Sequence, residues 1–263
     1  MLSRFLSEKS MIGVDVDSPD RLYIHKQILN KKSILKKVFY EFHHQMITMD
    51  KSFFGDTEGL KVELGAGVCP VKESYPDVLA SDIVAGEGLD CVLDAQSMDL
   101  ADNSVRAVFG QNCFHHFPQP EKFFSELCRV LVPGGGAILI EPYYGPFASV
   151  LYKHLFSSED FDKSSPVWDV SAEGPMKGAN QALSYIVFVR DVEEFNKKYP
   201  QLEVVLKKPL TNYLRYFLSG GLNFRSLVPK FMEKPIKFIE WILSPLAGIF
   251  ALHYIIVIRR KPE

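Results

Sequence analysis

Five short apolar runs follow one another between residues 60 and 142: LKVEL (60–64), VLASDI (78–83), DCVLD (90–94), VRAVFGQN (105–112) and AILIEP (137–142). Each has the length of a strand, and helical or turn-rich stretches separate them. Strands alternating with helices predict an α/β fold with a parallel sheet covered on both faces. A helix is expected over 121–131, where Phe123, Phe124, Leu127, Val130 and Leu131 share one side. VPGGG should end it, because proline removes a donor and glycine frees the turn. Upstream, apolar residues at helix spacing predict a helix over 21–47, its lysines on a solvated face. Downstream, LEVVLKK (202–208) and LHYIIVIRR (252–260) add two more strands.

The first run leads into KVELGAGVCP (61–70): an acid, two glycines, a cysteine and a proline. Ligands of open α/β sheets bind beyond the carboxyl ends of the strands. Acids stand at such ends here, with Glu63 in the first run, Asp82 ending the second and Asp94 after the third. An acid in the place of Asp82 can accept both hydroxyls of a ribose. Two ligands compete for such a site. A dinucleotide wants G-x-G-x-x-G and free N–H groups for its pyrophosphate. The third glycine is replaced by Pro70, which also removes one N–H. S-adenosylmethionine brings no phosphate, and the loop favours it.

In this order, VELGAGVCP, ASDI, DAQSMDLADNSVRAVFGQNCFHHF and EKFFSELCRVLVPGGGAILIEP resemble class I S-adenosylmethionine-dependent methyltransferases. Within that class they resemble the type-11 group of small-molecule and lipid methyltransferases. The resemblance covers roughly residues 58–145. It implies a doubly wound, Rossmann-like seven-stranded sheet, mostly parallel with the last strand antiparallel, carrying helical insertions. One domain over 1–263 is expected, in five parts. They are an N-terminal helical cap (1–57), a cofactor-binding core (58–145), substrate-capping insertions (146–199 and 209–251) and a closing strand (252–263).

The cofactor implied by the resemblance is S-adenosyl-L-methionine. Glu63, Gly65, Ala66 and Gly67 form its loop, with the last three along the methionine part. Asp82 holds the ribose and Ile83 packs on the adenine. Asp94 with Ala95 sits at the adenine amine, and Gln111 meets the methionine amino group through its backbone. Cys69 stands where the family usually has the last glycine of the loop, and so adds a side chain there. The plain structural alternatives are a helix N-cap for Asp94 and a turn residue for Asp82.

Methyl transfer from a sulfonium is an in-line displacement that needs positioning and, for a hydroxyl acceptor, often a base. His116 and His115 follow the fourth run, and imidazole titrates in the right range. The alternative for either is packing against a helix. Tyr144 is the third catalytic candidate, with Tyr143, Tyr152 and His154 as pocket lining. Cys113 beside the two histidines raises zinc, but no second ligand pair lies near in sequence. No metal is expected.

The long segment 157–188 carries Trp168 and GPMKGANQAL, and a lid or substrate loop is expected there. Asn180 and Gln181 are candidates to offer amides to a sugar or lipid headgroup. In 212–250, aromatic and aliphatic residues alternate with Arg215, Arg225, Lys230, Lys234 and Lys237. That pattern fits a helical cap over the acceptor pocket, or a peripheral membrane contact. The uncharged run 242–258 is short for a membrane span and is read as a helix end followed by a strand.

With 30 basic and 32 acidic residues the net charge is −2, and no nucleic-acid partner is expected. Four cysteines without a C-x-x-C pair read as reduced thiols of a cytoplasmic protein, one that can sit peripherally at the membrane. The expected function is S-adenosylmethionine-dependent methylation, by O-methylation, of a small-molecule, sugar or lipid-linked acceptor. Two alternatives stand beside it. One is a methyltransferase-fold binding protein without catalysis, and the other is an NAD(P)-dependent oxidoreductase.

Overall fold

The computed structural model describes residues 6–15, 17–18, 20–156, 159–170, 174 and 178–262. Seven strands form one sheet: β1 Leu60–Leu64, β2 Leu79–Asp82, β3 Cys91–Val92, β4 Val105–Gln111, β5 Leu131–Pro142, β6 Leu202–Pro209 and β7 His253–Arg260. Their order is β3-β2-β1-β4-β5-β7-β6. The first five are parallel, and β7 runs antiparallel to both β5 and β6. This is the expected fold class, a doubly wound, mostly parallel seven-stranded sheet with its last strand reversed. The strand order changes direction between β1 and β4, and a crevice opens beyond their carboxyl ends at such a point.

Side chains alternate across each strand, so a sheet covered on both sides needs two sets of apolar residues. Phe109 of β4, Ile138 and Ile140 of β5, and Ile255 and Val257 of β7 face one layer. Val108, Ala137, Leu139, Tyr254 and Ile256 face the other. Helix α1 spans Asp20–Lys31 and α2 spans Ser33–Phe54. Val38, Phe42, Met46 and Phe54 of α2 fill the first layer. Helix α3, Pro120–Val130, fills the second with Phe123, Phe124 and Leu127, joined by Val187, Phe188 and Phe195.

Three expectations are corrected in detail. The single helix over 21–47 is two helices broken at Lys32, where φ is −102° and ψ is 74°. The Lys32 ammonium donates to the carbonyls of Gly221 and Phe224 and stands 3.5 Å from Glu8. These distant partners hold the break. The second helix also continues to Phe54. There Asp50 is fully buried and takes the Arg106 guanidinium from β4 through two bonds of 3.0 and 3.1 Å. Finally, β5 begins at Leu131 rather than at Ala137, so VPGGG lies inside the strand, where the register with β4 shifts. A side chain at Gly136 would overlap Ile258 O and the Phe54 ring. The glycine is there for space.

Four longer helices follow: α4 (Pro146–His154), α5 (Val192–Lys198), α6 (Tyr213–Ser219) and α7 (Glu233–Leu243). The apolar run 242–258 divides as expected into the end of α7, two short turns and β7. Among the described residues, no helix is long and apolar enough to cross a membrane.

Candidate functional site

After β1 the chain turns over Gly65 and Gly67, whose φ angles of +62° and +54° suit glycine. A Cβ at Gly65 would stand 2.7 Å from Cys113 Cβ, so the segment after β4 presses on this loop. Glu63 braces the loop from beneath. It is 2% exposed, and its Oε2 accepts the Val71 N–H at 2.7 Å. Burial raises its pKa to about 8. The Cys69 side chain packs with Val68 and Val71 into the apolar layer under α2. His43 Nε2 donates to the Cys69 carbonyl at 3.1 Å. Burial pushes the Cys69 thiol up to about 12, so it is an inert packing group.

Asp82 leaves the end of β2 and turns toward the loop. Its Oδ2 accepts the Gly67 N–H at 3.0 Å and its Oδ1 accepts the Val84 N–H at 3.3 Å. Each oxygen keeps a second lone pair. Ile83, next in sequence, is 51% exposed. Asp94 accepts the Gln96 N–H at 2.8 Å, closing its own turn, and Ala95 is buried beside it. Gln111 ends β4. Asn112 follows with a φ of +50°, rare for a residue with a side chain. Asn112 Oδ1 is buried and meets no donor among the described residues. Close backbone, a carboxylate, an exposed apolar face and an unmet amide oxygen fit S-adenosylmethionine.

The turn after β4 carries the two histidines. Glu141, near the end of β5 and fully buried, organises it. Glu141 Oε1 accepts the N–H groups of Cys113 and Phe114 at 3.0 and 2.9 Å. Its Oε2 takes His115 Nδ1–H at 2.6 Å. On the far side, His115 Nε2 lies 3.3 Å from Glu159 Oε2, and His116 Nε2 lies 3.9 Å from Glu159 Oε1. Burial alone would lower the His115 pKa. The charges and hydrogen bonds of Glu141 and Glu159 outweigh it and raise the value to about 10. A ring that stays protonated at neutral pH has no lone pair with which to act as a base. Glu159 responds in reverse: burial acts to raise its pKa, but His115 and its neighbours bring it below the ordinary value.

Tyr144 lies in an aromatic group, its ring 4.6 Å from Tyr143 and 4.9 Å from Tyr185. Lys163 donates to the Tyr144 carbonyl at 2.6 Å and stands over the Tyr185 ring. Burial raises the Tyr144 pKa, which works against a phenolate. Tyr152 is buried and donates to Leu252 O at 2.6 Å, and His154 is exposed. The amides of Asn180 and Gln181 are already engaged, which corrects the headgroup role expected of them. Asn180 bonds the backbone of Asp162 and Ala182, and Gln181 donates to Phe156 O and Glu159 O. Trp168 is core, donating to Asp191 at 3.0 Å. Pro175, Met176 and Lys177 of GPMKGANQAL lie outside the described residues.

Arg21, Glu141, Glu159 and Lys163 were not singled out from the sequence. Arg21, on α1, acts electrostatically on both Asp82 and Glu159, so it lies between the loop side and the histidine side. Glu141 stood legibly in ILIEP. Glu159 had no motif around it, since only the fold brings it to the histidines.

Helix α7 carries its aromatic rings outward and one carboxylate inward. Ile236 and Glu240 face the protein, while Phe238 is 60% and Trp241 70% exposed. Phe231, Ile242, Leu246 and Ile249 are exposed with them, as are Lys230, Lys234 and Lys237.

Comparison with known proteins follows the same lines. Residues 72–139 match the family model described as a methyltransferase domain. A demethylmenaquinone methyltransferase of Renibacterium salmoninarum is 33% identical over 87 residues, which cover 32% of this chain and 32% of that protein. The chain thus spans about a third of the curated relative it matches. Among solved structures, a geranyl diphosphate C-methyltransferase of Streptomyces coelicolor A3(2) overlays with a TM-score of 0.49 at 15% identity. The overlay covers 86% of this chain and 82% of that one. Phosphoethanolamine N-methyltransferase 2 of Haemonchus contortus gives 0.44 at 14% identity, over 84% and 53%. Residues 72–139 are thus similar to a methyltransferase domain, and they lie within a seven-stranded sheet of order β3-β2-β1-β4-β5-β7-β6.

Proposed function

We propose that this chain transfers the methyl group of S-adenosylmethionine to an oxygen of a small-molecule, sugar or lipid-linked acceptor. The observation that carries the reading is a convergence. The Gly65–Gly67 loop, held to Asp82, packs at Gly65 on Cys113, two residues before His115 in the turn that carries the His115–His116–Glu159 cluster.

Asp82 takes the ribose hydroxyls with its free lone pairs. Ile83 covers one face of the adenine, and Asp94 with Ala95 meets the adenine amine. Gly65, Ala66 and Gly67 line the methionine part, and the Gln111 backbone receives its amino group. The acceptor oxygen attacks the sulfonium methyl in line. A C–O bond forms, the C–S bond breaks, and its electron pair stays on sulfur as S-adenosylhomocysteine. The hydroxyl proton passes to the side of the cluster formed by His116 and Glu159. His115 holds that turn in place, and Tyr144 lines the acceptor side.

A lipid-linked acceptor is favoured by the exposed face of α7. An apolar helix face flanked by lysines suits the boundary of an anionic membrane, and there the chain would meet its acceptor. Helix α1, with Arg21 reaching toward Asp82, serves as the N-terminal cap.

Calorimetric titration of the full chain tests the cofactor. Micromolar binding of S-adenosylmethionine, lost in Asp82→Ala and absent for NADH, is the expected result. Binding of NADH instead would turn the reading to an oxidoreductase. Cofactor binding with no methyl transfer across sugar and lipid hydroxyls would leave a binding protein of methyltransferase fold.

A further inference from the structure

We infer that His115, His116 and Glu159 form a site for one divalent transition-metal ion on the acceptor side of the crevice. The site stands on its own geometry. Its use in catalysis rests on the methyltransferase reading above.

Ligand atoms of the three residues lie within 4.8 Å of one another. His115 Nε2 to Glu159 Oε2 is 3.3 Å and His116 Nε2 to Glu159 Oε1 is 3.9 Å. Donors bound to one ion at about 2.1 Å stand roughly 3–3.5 Å apart. Shifts of up to about 1.3 Å among the three ligand atoms would therefore close the set. The second ring nitrogen of His115 is already committed, since Nδ1–H donates to Glu141 at 2.6 Å. A ligating histidine is commonly oriented by a carboxylate in this way, and an ion bound at Nε2 would take the place of its proton. Glu141 is itself fixed by two backbone N–H groups.

The third ligand is also held. Gln181 donates its amide to Glu159 O, and its own N–H bonds Asp160 O at 2.9 Å. Asn180 N–H reaches His115 O at 3.3 Å, tying this segment to the histidine turn. The cluster is closed toward β5, where the His115 side chain is 4% exposed, and opens toward Glu159, at 21%. Three protein ligands with one open side are the arrangement of a reactive site rather than a structural one. Two imidazoles and one carboxylate suit zinc, cobalt, iron or nickel better than magnesium or calcium. No ligand partner for the histidines lies near them in sequence, and Glu159 supplies one from 43 residues further along the chain. An ion there would bind the acceptor oxygen and lower the pKa of its hydroxyl.

The test uses the full chain, stripped with a chelator and dialysed, and titrated with Co(II) and Zn(II) by calorimetry and visible absorption. One equivalent bound with micromolar Kd, accompanied by Co(II) d–d bands, is expected. Glu159→Gln and His116→Asn should each weaken binding by about tenfold or more, with circular dichroism and Tm unchanged. S-adenosylmethionine titrated into the same stripped sample reports separately on the methyltransferase reading. No uptake by folded protein at about 1 mM metal overturns the site and leaves a plain carboxylate–imidazole–carboxylate triad. Uptake unchanged in both variants overturns it equally, because the ion would then be elsewhere.

Discussion

Glu240 Oε2 stands 2.6 Å from Arg215 Nε inside the protein, while Phe238 and Trp241, its neighbours on α7, stand in water. An ordinary surface helix does the opposite, burying its rings and hydrating its charges. The inversion is held by a network. Glu240 also accepts the Arg215 N–H at 2.8 Å, and Glu41 of α2 takes both ends of the same guanidinium at 2.8 and 2.6 Å. Lys237 reaches Glu41 from the same helix. The charges anchor α7 and leave its apolar face exposed.

If that face meets lipid, the full protein will co-sediment with vesicles rich in phosphatidylglycerol and less with neutral ones. Replacing both rings, Phe238→Ser with Trp241→Ser, should cut the bound fraction by about tenfold or more, given what burying each ring contributes. Tm should hold, since the two exposed rings stack on each other and neither is buried in the core. A wild-type protein that stays in the supernatant at low salt would remove the membrane from the proposed function.

The anchor can be tested by itself. Burial acts to raise the Glu240 pKa, so its charge is tolerated because Arg215 is there. Glu240→Ala leaves a buried guanidinium short of one partner and should cost about 3 kcal/mol in urea unfolding. The double variant Arg215→Met, Glu240→Leu should cost clearly less. Equal losses would mean that packing at this position matters and the charges do not.

Much of this was legible before any fold was seen. Seven strands, the strand-end acids Glu63, Asp82 and Asp94 and the glycine loop follow from local pattern, because period and turn chemistry act over a few residues. What was not legible depends on distant partners. Lys32 breaks a helix for carbonyls at 221 and 224. VPGGG reads as a turn, yet it is strand, because Phe54 and Ile258 need Gly136 to be bare. At the site, His115 and His116 were visible, but their unequal circumstances were not. Glu141 and Glu159 grip one ring far more closely than the other, and nothing near Glu159 in sequence announces it.

Ile83 offers the cleanest test on the cofactor side. An isoleucine half in water at a strand end gains only when something flat covers it. Ile83→Ala should weaken S-adenosylmethionine by about three- to tenfold, the worth of a partly buried aliphatic group, and leave Tm within a degree or two. Unchanged affinity by calorimetry would place the adenine elsewhere.

Glu63 gives the protein a pH dependence whose sign is fixed by burial. Its carboxyl titrates near 4.5 in the unfolded chain and at about 8 when folded. Between those values the folded state holds a proton that the unfolded state has released. Stability must therefore fall as pH rises from about 4.5 to 8, and level off above. Glu63→Gln keeps an oxygen for the Val71 N–H but cannot ionise, so it should lose this slope. Urea unfolding of both proteins at pH 5, 6, 7 and 8 reads the difference directly. The variant should gain on the wild type with each step upward. Parallel curves would show that Glu63 titrates normally, which would require water to reach the floor of the glycine loop.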